Sequence, residues 1–76
     1  MHEQRHPVLI LRRRAVEART GLSRSTLYDW MNPSSPRYKP DFPKPMRFSG
    51  SNAVGWVANE IDDWLTAQVQ ASREAS

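Results

Sequence analysis

The chain has no cysteine among its 76 residues, only two histidines and three glycines, and no apolar run longer than Val8-Leu9-Ile10-Leu11. Each shortage closes off a class of protein. Without cysteine there is neither a disulfide framework nor a thiolate zinc finger, and a reducing cytosol suits the chain. Four apolar residues fall far short of the roughly 20 that span a bilayer. Arginines follow them, with no small-residue cleavage site, so neither a membrane anchor nor a signal peptide is expected, and the reading is a soluble cytoplasmic chain. Its length allows one small domain, which buries only about 60% of its unfolded surface. A core of that size leaves no room for a substrate cleft, and the expectation is a non-enzyme without a cofactor.

The scarcity of histidine disposes of most catalytic arrangements. Both imidazoles lie in His2-Glu3-Gln4-Arg5-His6, which spells the H-E-x-x-H signature of zinc proteases. That motif works on a helix held in a cleft, with a third ligand downstream. Here Pro7 ends it at once and no further histidine follows, so the match reads as coincidence and no metal is expected. No Ser-His-Asp arrangement can be built on a rigid frame from terminal histidines alone. Gly21, Gly50 and Gly55 do not form a phosphate-cradling loop, and the proline in Asn32-Pro33-Ser34 spoils the glycosylation pattern.

What the chain has in plenty is positive charge on one side of its sequence. Residues 1–50 hold ten bases against four acids, whereas residues 51–76 hold Arg73 against Glu60, Asp62, Asp63 and Glu74. A basic body with an acidic end suits a polyanion partner, although a merely solvated basic surface would look the same.

The local punctuation divides the chain further. Residues 1–7 are polar and aperiodic and read as a disordered N-terminus. Val8 to Leu11 suggests a brief extended stretch, and Arg13 to Thr20 a helix free of glycine and proline. Gly21 should stop that helix in the left-handed conformation. Ser23 is placed to cap a second helix, Arg24 to about Met31, by accepting from the amide of Ser25 or Thr26. Leu27, Trp30 and Met31 make its packing stripe, and Leu22 can staple beneath it. Asn32-Pro33 ends it. Five of the six prolines lie between Pro33 and Pro45, which forbids helix there. Pro45 to Phe48 and Ala53 to Trp56 look like two strands of a hairpin around Ser49-Gly50-Ser51-Asn52, the first an edge strand because of its proline. Asn59, with Asp62 three residues on, reads as the cap of a last helix that frays over residues 71–76. The domain expected is therefore residues 8–70, with Trp30, Trp56 and Trp64 in its core.

A helix, a glycine turn, a serine cap and a second helix make a helix-turn-helix. Around Thr20-Gly21-Leu22-Ser23-Arg24-Ser25-Thr26-Leu27-Tyr28 the sequence resembles the AlpA-like family of phage and prophage regulators, relatives of the MerR-type winged helix and of small excisionases. The resemblance continues through Phe42-Pro43-Lys44-Pro45, Ala53-Val54-Gly55-Trp56, Glu60-Ile61 and Trp64-Leu65, in the family's order. It implies a mainly α winged helix-turn-helix with a small β-hairpin wing, acting as a DNA-binding transcriptional regulator that often activates integrase or excisionase genes. Three features depart from the family's pattern: Glu17 stands where helix-turn-helix proteins favour a small residue, the loop 32–41 is long, and the wing tip has Ser51-Asn52 where arginine is frequent.

Carried over by position, the resemblance implies that Ser23, Arg24, Ser25, Thr26 and Tyr28 face a major groove and that Lys44, Arg47, Ser51 and Asn52 belong to the wing. Thr26 is equally a capping partner, Tyr28 a packing residue, and Arg24 a solvated arginine. Arg12, Arg13 and Arg14 read as phosphate clamps or as solvated charges. The expected partner is double-stranded DNA at the nucleoid. One domain makes few contacts, which favours dimers or tandem copies, and an integrase or RNA polymerase is the protein such a regulator would touch. Two other readings stay open: an excisionase-type factor that bends DNA to direct an integrase, and a protein-interaction module with little DNA affinity.

Overall fold

In the computed structural model, which describes residues 8–75, the elements run β1 (Ile10–Leu11), α1 (Arg13–Thr20), α2 (Arg24–Met31), β2 (Met46–Arg47), β3 (Val54–Val57) and α3 (Ala58–Ala75). The expected N-terminal disorder and the His2–His6 motif lie outside the described residues.

Both helices of the helix-turn-helix keep the limits that their punctuation dictates. Gly21 ends α1 at φ 76°, its N–H donating to the Glu17 carbonyl, a conformation that costs glycine nothing. Thr20 ties the turn by donating from Oγ1 to the Val16 carbonyl and accepting from the Leu22 N–H. Ser23 caps α2 by accepting from the Thr26 N–H at 3.2 Å. Asn32 leaves the helix in extended backbone ahead of Pro33, as a residue before proline must.

The sheet is larger than a hairpin. β3 lies in the middle, antiparallel to β1 on one side and β2 on the other, with Leu11 opposite Trp56 and Arg47 opposite Val54. The first stretch of the chain therefore braces the wing. The close approach depends on Gly55, where a Cβ would collide with Ile10 Cγ2 and crowd the Leu11 carbonyl oxygen at 3.2 Å. Pairing with Ile10 also extends β3 to Val57, while Pro45, lacking an N–H, stays outside β2 at the sheet's edge.

The cap expected at Asn59 is absent. β3 passes directly into α3 at Ala58, and the Ala58 N–H donates to the Leu9 carbonyl at 2.8 Å. A backbone acceptor from the other end of the chain takes the place of a capping side chain, so Asn59 sits exposed inside the first turn. Asp62 turns instead to Arg19 of α1 in a two-pronged pair, at 2.7 and 2.8 Å. The helix remains regular through Ala75, past Ala71 where fraying was expected.

Leu11, Val16, Leu27, Phe42, Trp56, Ala58 and Ile61 form the core, with Leu22, Trp30, Met31, Trp64 and Leu65 packed against it. All three tryptophans thus serve packing, Trp56 at the centre and the other two half-buried. The unforeseen member is Phe42, which the proline-rich segment delivers edge-on to Trp30 at 6.0 Å and to Trp64 at 5.0 Å, the T-shaped geometry that aromatic rings favour. This ring anchors a loop already folded on itself. The Lys39 N–H donates to the Trp30 carbonyl, the Phe42 N–H to the Lys39 carbonyl, and Arg37 lies 3.5 Å from Asp29.

Candidate nucleic-acid interface

The outward face of α2 follows from its inward one. Leu27 is fully buried and Trp30 packs on the core, which turns Arg24, Ser25 and Tyr28 to solvent. Arg24 lies over the Tyr28 ring, 5.7 Å from its centroid, and no carboxylate pairs with it among the described residues. A guanidinium lying over an aromatic face keeps its N–H edges available. Ser23 and Thr26 are engaged differently: each is held by the other, the Ser23 hydroxyl donating to Thr26 Oγ1 at 3.1 Å and accepting from the Thr26 amide. Thr26 is half-buried and serves the cap.

A second basic group adjoins this face. Arg12, Arg13, Arg14, Tyr28 and Val54 line an open groove of about 420 Å³. The three arginines are not equivalent. Arg12 donates from Nε to the Val54 carbonyl at 2.9 Å, which fixes its guanidinium beside the sheet with its terminal nitrogens still free to donate elsewhere. Arg13 forms an i,i+4 ion pair with Glu17, so the acid that departs from the usual small residue is neutralised within α1. Arg14 is exposed and has no ion-pair partner among the described residues. Arg47 stands opposite Val54 in the ladder, so its side chain shares that sheet face and continues the basic surface from α1 towards the wing.

The remaining wing positions lie apart from the groove. Ser51 is committed to its turn, its hydroxyl accepting from the Ala53 N–H at 2.9 Å, while Asn52 is exposed. Lys44 is exposed beside the proline-rich loop, where it borders a separate depression. Among the described residues no cluster of histidine, cysteine, aspartate or glutamate could hold a metal ion, and no helix is long and apolar enough to cross a membrane. The hydrogen bond from Arg19 lowers the Asp62 carboxyl below its ordinary value, and the same bond raises Arg19.

Residues 9–69 match the sequence model of the family described as prophage CP4-57 regulatory protein (AlpA). The chain belongs to the AlpA family. It is also 53% identical over 62 residues, 82% of this chain and 87% of the other, to a protein of Escherichia coli (strain K12) named DNA-binding transcriptional activator AlpA. No solved structure matches the chain. Within this AlpA-family domain, the residues singled out by resemblance and by charge fall into three groups. Tyr28 of α2 joins Arg12, Arg13 and Arg14 on one groove, with Arg24 over the Tyr28 ring, Ser25 exposed on the same helix and Arg47 opposite the groove's Val54 in the ladder. Ser23, Thr26 and Ser51 are engaged in caps and turns. Lys44 and Asn52 stand exposed elsewhere on the wing. Val54 had no sequence signal as a member of this surface, because it enters only through the pairing of Arg12 with a carbonyl 42 residues away.

Proposed function

We propose that this chain is a sequence-specific double-stranded DNA-binding regulator of transcription on a phage or prophage element. In this reading α2 enters a major groove, with Arg24 reading a base edge and Ser25 and Tyr28 beside it. The wing, residues 45–56, lies along the adjacent backbone with Arg47, Ser51 and Asn52, and Lys44 flanks it. Arg12 and Arg14 take phosphates along the groove between α2 and the wing strand. The chain acts by binding rather than by turnover, in the cytoplasm at the nucleoid, and in more than one copy on its site. An integrase or RNA polymerase is its protein partner there.

The observation that carries the reading is the uncompensated guanidinium of Arg24 on a capped helix whose next exposed turn opens onto an arginine-lined groove. Arginine in such a position can pair with guanine in two bonds, and neighbouring arginines supply the sequence-independent attraction. The match over most of its length to a protein named as a DNA-binding transcriptional activator supports the same conclusion.

The test is selection from a random duplex library, followed by the winner's affinity against salt. The reading requires a defined motif and a log–log slope of about −4 to −6, corresponding to roughly five phosphates. A similar slope with no enriched motif would turn the assignment towards a DNA-bending factor of excisionase type. No binding at all would leave a protein-interaction module.

A further inference from the structure

Apart from Lys44 at its rim, the depression beside the proline-rich loop is a feature that DNA binding leaves unused. It has a volume of about 340 Å³, between the end of α2 and the segment that leads into the wing. Met31, Tyr38, Phe42 and Pro43 supply an apolar wall, and Lys39 and Lys44 supply cations. The concavity follows from the packing: Phe42 is drawn inward to Trp30 and Trp64, and the residues on either side of it stand as walls. Its volume is at the small end of ligand-binding pockets, where one or two side chains of a partner fit.

Charge specifies the occupant further. The Lys39 ammonium is held 4.9 Å from the centroid of the Trp30 ring, and neither lysine has a carboxylate partner among the described residues. The nearby acids are engaged elsewhere: Asp41 accepts from the Trp64 indole N–H at 3.3 Å, and Asp29 faces Arg37 at 3.5 Å. The depression therefore joins an apolar floor to a lining that holds two cations and no carboxylate. A DNA backbone offers anions but nothing to fill an apolar hollow, whereas a peptide offers both.

We propose that this depression docks a short acidic segment of another protein, with one aromatic or aliphatic side chain seated against Met31, Tyr38 and Phe42 and a flanking carboxylate paired with Lys39. Burial of the anchor supplies affinity, and Lys39 sets its acidic neighbour.

The test uses the full chain as bait for a random twelve-residue peptide display library, then follows the winning peptide by backbone amide shifts of the labelled chain. The expected result is enrichment of acidic peptides with a single large apolar residue, shifts centred on Met31, Tyr38, Lys39 and Phe42, and at least tenfold weaker binding by Lys39→Glu. An unaltered amide spectrum away from residue 39 checks that the variant is folded. The proposal is overturned by any of the following results. These are no enriched peptide, peptide shifts at Arg12, Arg14 and Tyr28 instead, undiminished binding by folded Lys39→Glu, or the same pocket amides moving on dilution of the chain alone, which would make a second copy the occupant. A parallel titration with the selected duplex keeps failure of this proposal separate from failure of the DNA reading, and displacement of the peptide by the duplex from the same amides would also overturn it.

Discussion

Arg24 and Lys44 are both exposed cations, yet their surroundings assign them different work. Arg24 lies over Tyr28 on the helix that presents itself outward, whereas Lys44 flanks the wing beside a prolyl loop. Arg24→Ala should cost about 1–3 kcal/mol on the selected site and relax preference at one base position, while Lys44→Ala should weaken all sequences alike and reduce the salt slope by about one. Binding curves on the selected duplex and on scrambled duplexes separate the two, and equal losses on both duplexes from Arg24→Ala would refute base readout by that residue. A different residue pair responds to pH. The Arg19 hydrogen bond lowers the Asp62 carboxyl, so the carboxylate binds its proton less readily in the folded chain than in the unfolded one. Stability from this pair is thus present above the unfolded value near pH 4, and it fades as pH falls through the lower, folded value. The thermal midpoint of Asp62→Asn should lie below that of the natural chain at pH 7, with the gap closing as pH drops below about 4. Exposure of both partners makes the gap shrink with added salt.

At the level of elements, the contact between β1 and β3 is the most exacting. Gly55→Ala should destabilise the domain by about 1–3 kcal/mol through overpacking against Ile10. The double variant with Ile10→Ala should recover part of that loss, a coupling that a urea-unfolding cycle measures directly. Simple additivity of the two losses would mean that the side-chain clash is not the cause. This contact also shows how far the chain can be read without coordinates. α1 and α2 are legible to the residue because Gly21, Ser23 and Asn32-Pro33 act on backbone within a few positions of themselves. β1 as a partner of the wing is not, since strands whose paired residues lie 45 and 47 positions apart leave no periodic trace in so short an element. The start of α3 is misread for the same reason: Asn59 and Asp62 imitate a cap, while the acceptor in use is the Leu9 carbonyl. The candidate site divides in the same way, with Arg24 and Tyr28 visible from helical spacing and the groove hidden until Arg12 meets Val54.

For the whole molecule, one ring in a region without regular structure carries much of the cohesion. Phe42 is 3% exposed and joins the loop to α2 through Trp30 and to α3 through Trp64. Phe→Ala in a core costs about 3–5 kcal/mol, a large fraction of the roughly 5–15 kcal/mol that holds a domain together. Phe42→Ala should therefore lower the thermal midpoint of the entire domain in a single transition and abolish DNA binding with it. A separate, earlier melting of the loop would show instead that the ring anchors only its own segment. The meeting of β1 and α1 carries a further consequence. Leu11 ends the strand, Arg12 stands at the junction and Arg13 begins the helix, with no spacer between the sheet and the arginines. An α-helix turns about 100° per residue, so one extra residue between Arg14 and the buried Val16 would swing Arg13 and Arg14 around the helix axis relative to the core and detach Arg12 from the Val54 carbonyl. The basic surface is thus a matter of phase as much as of charge: the same three arginines, one step out of register, would leave the groove without its lining.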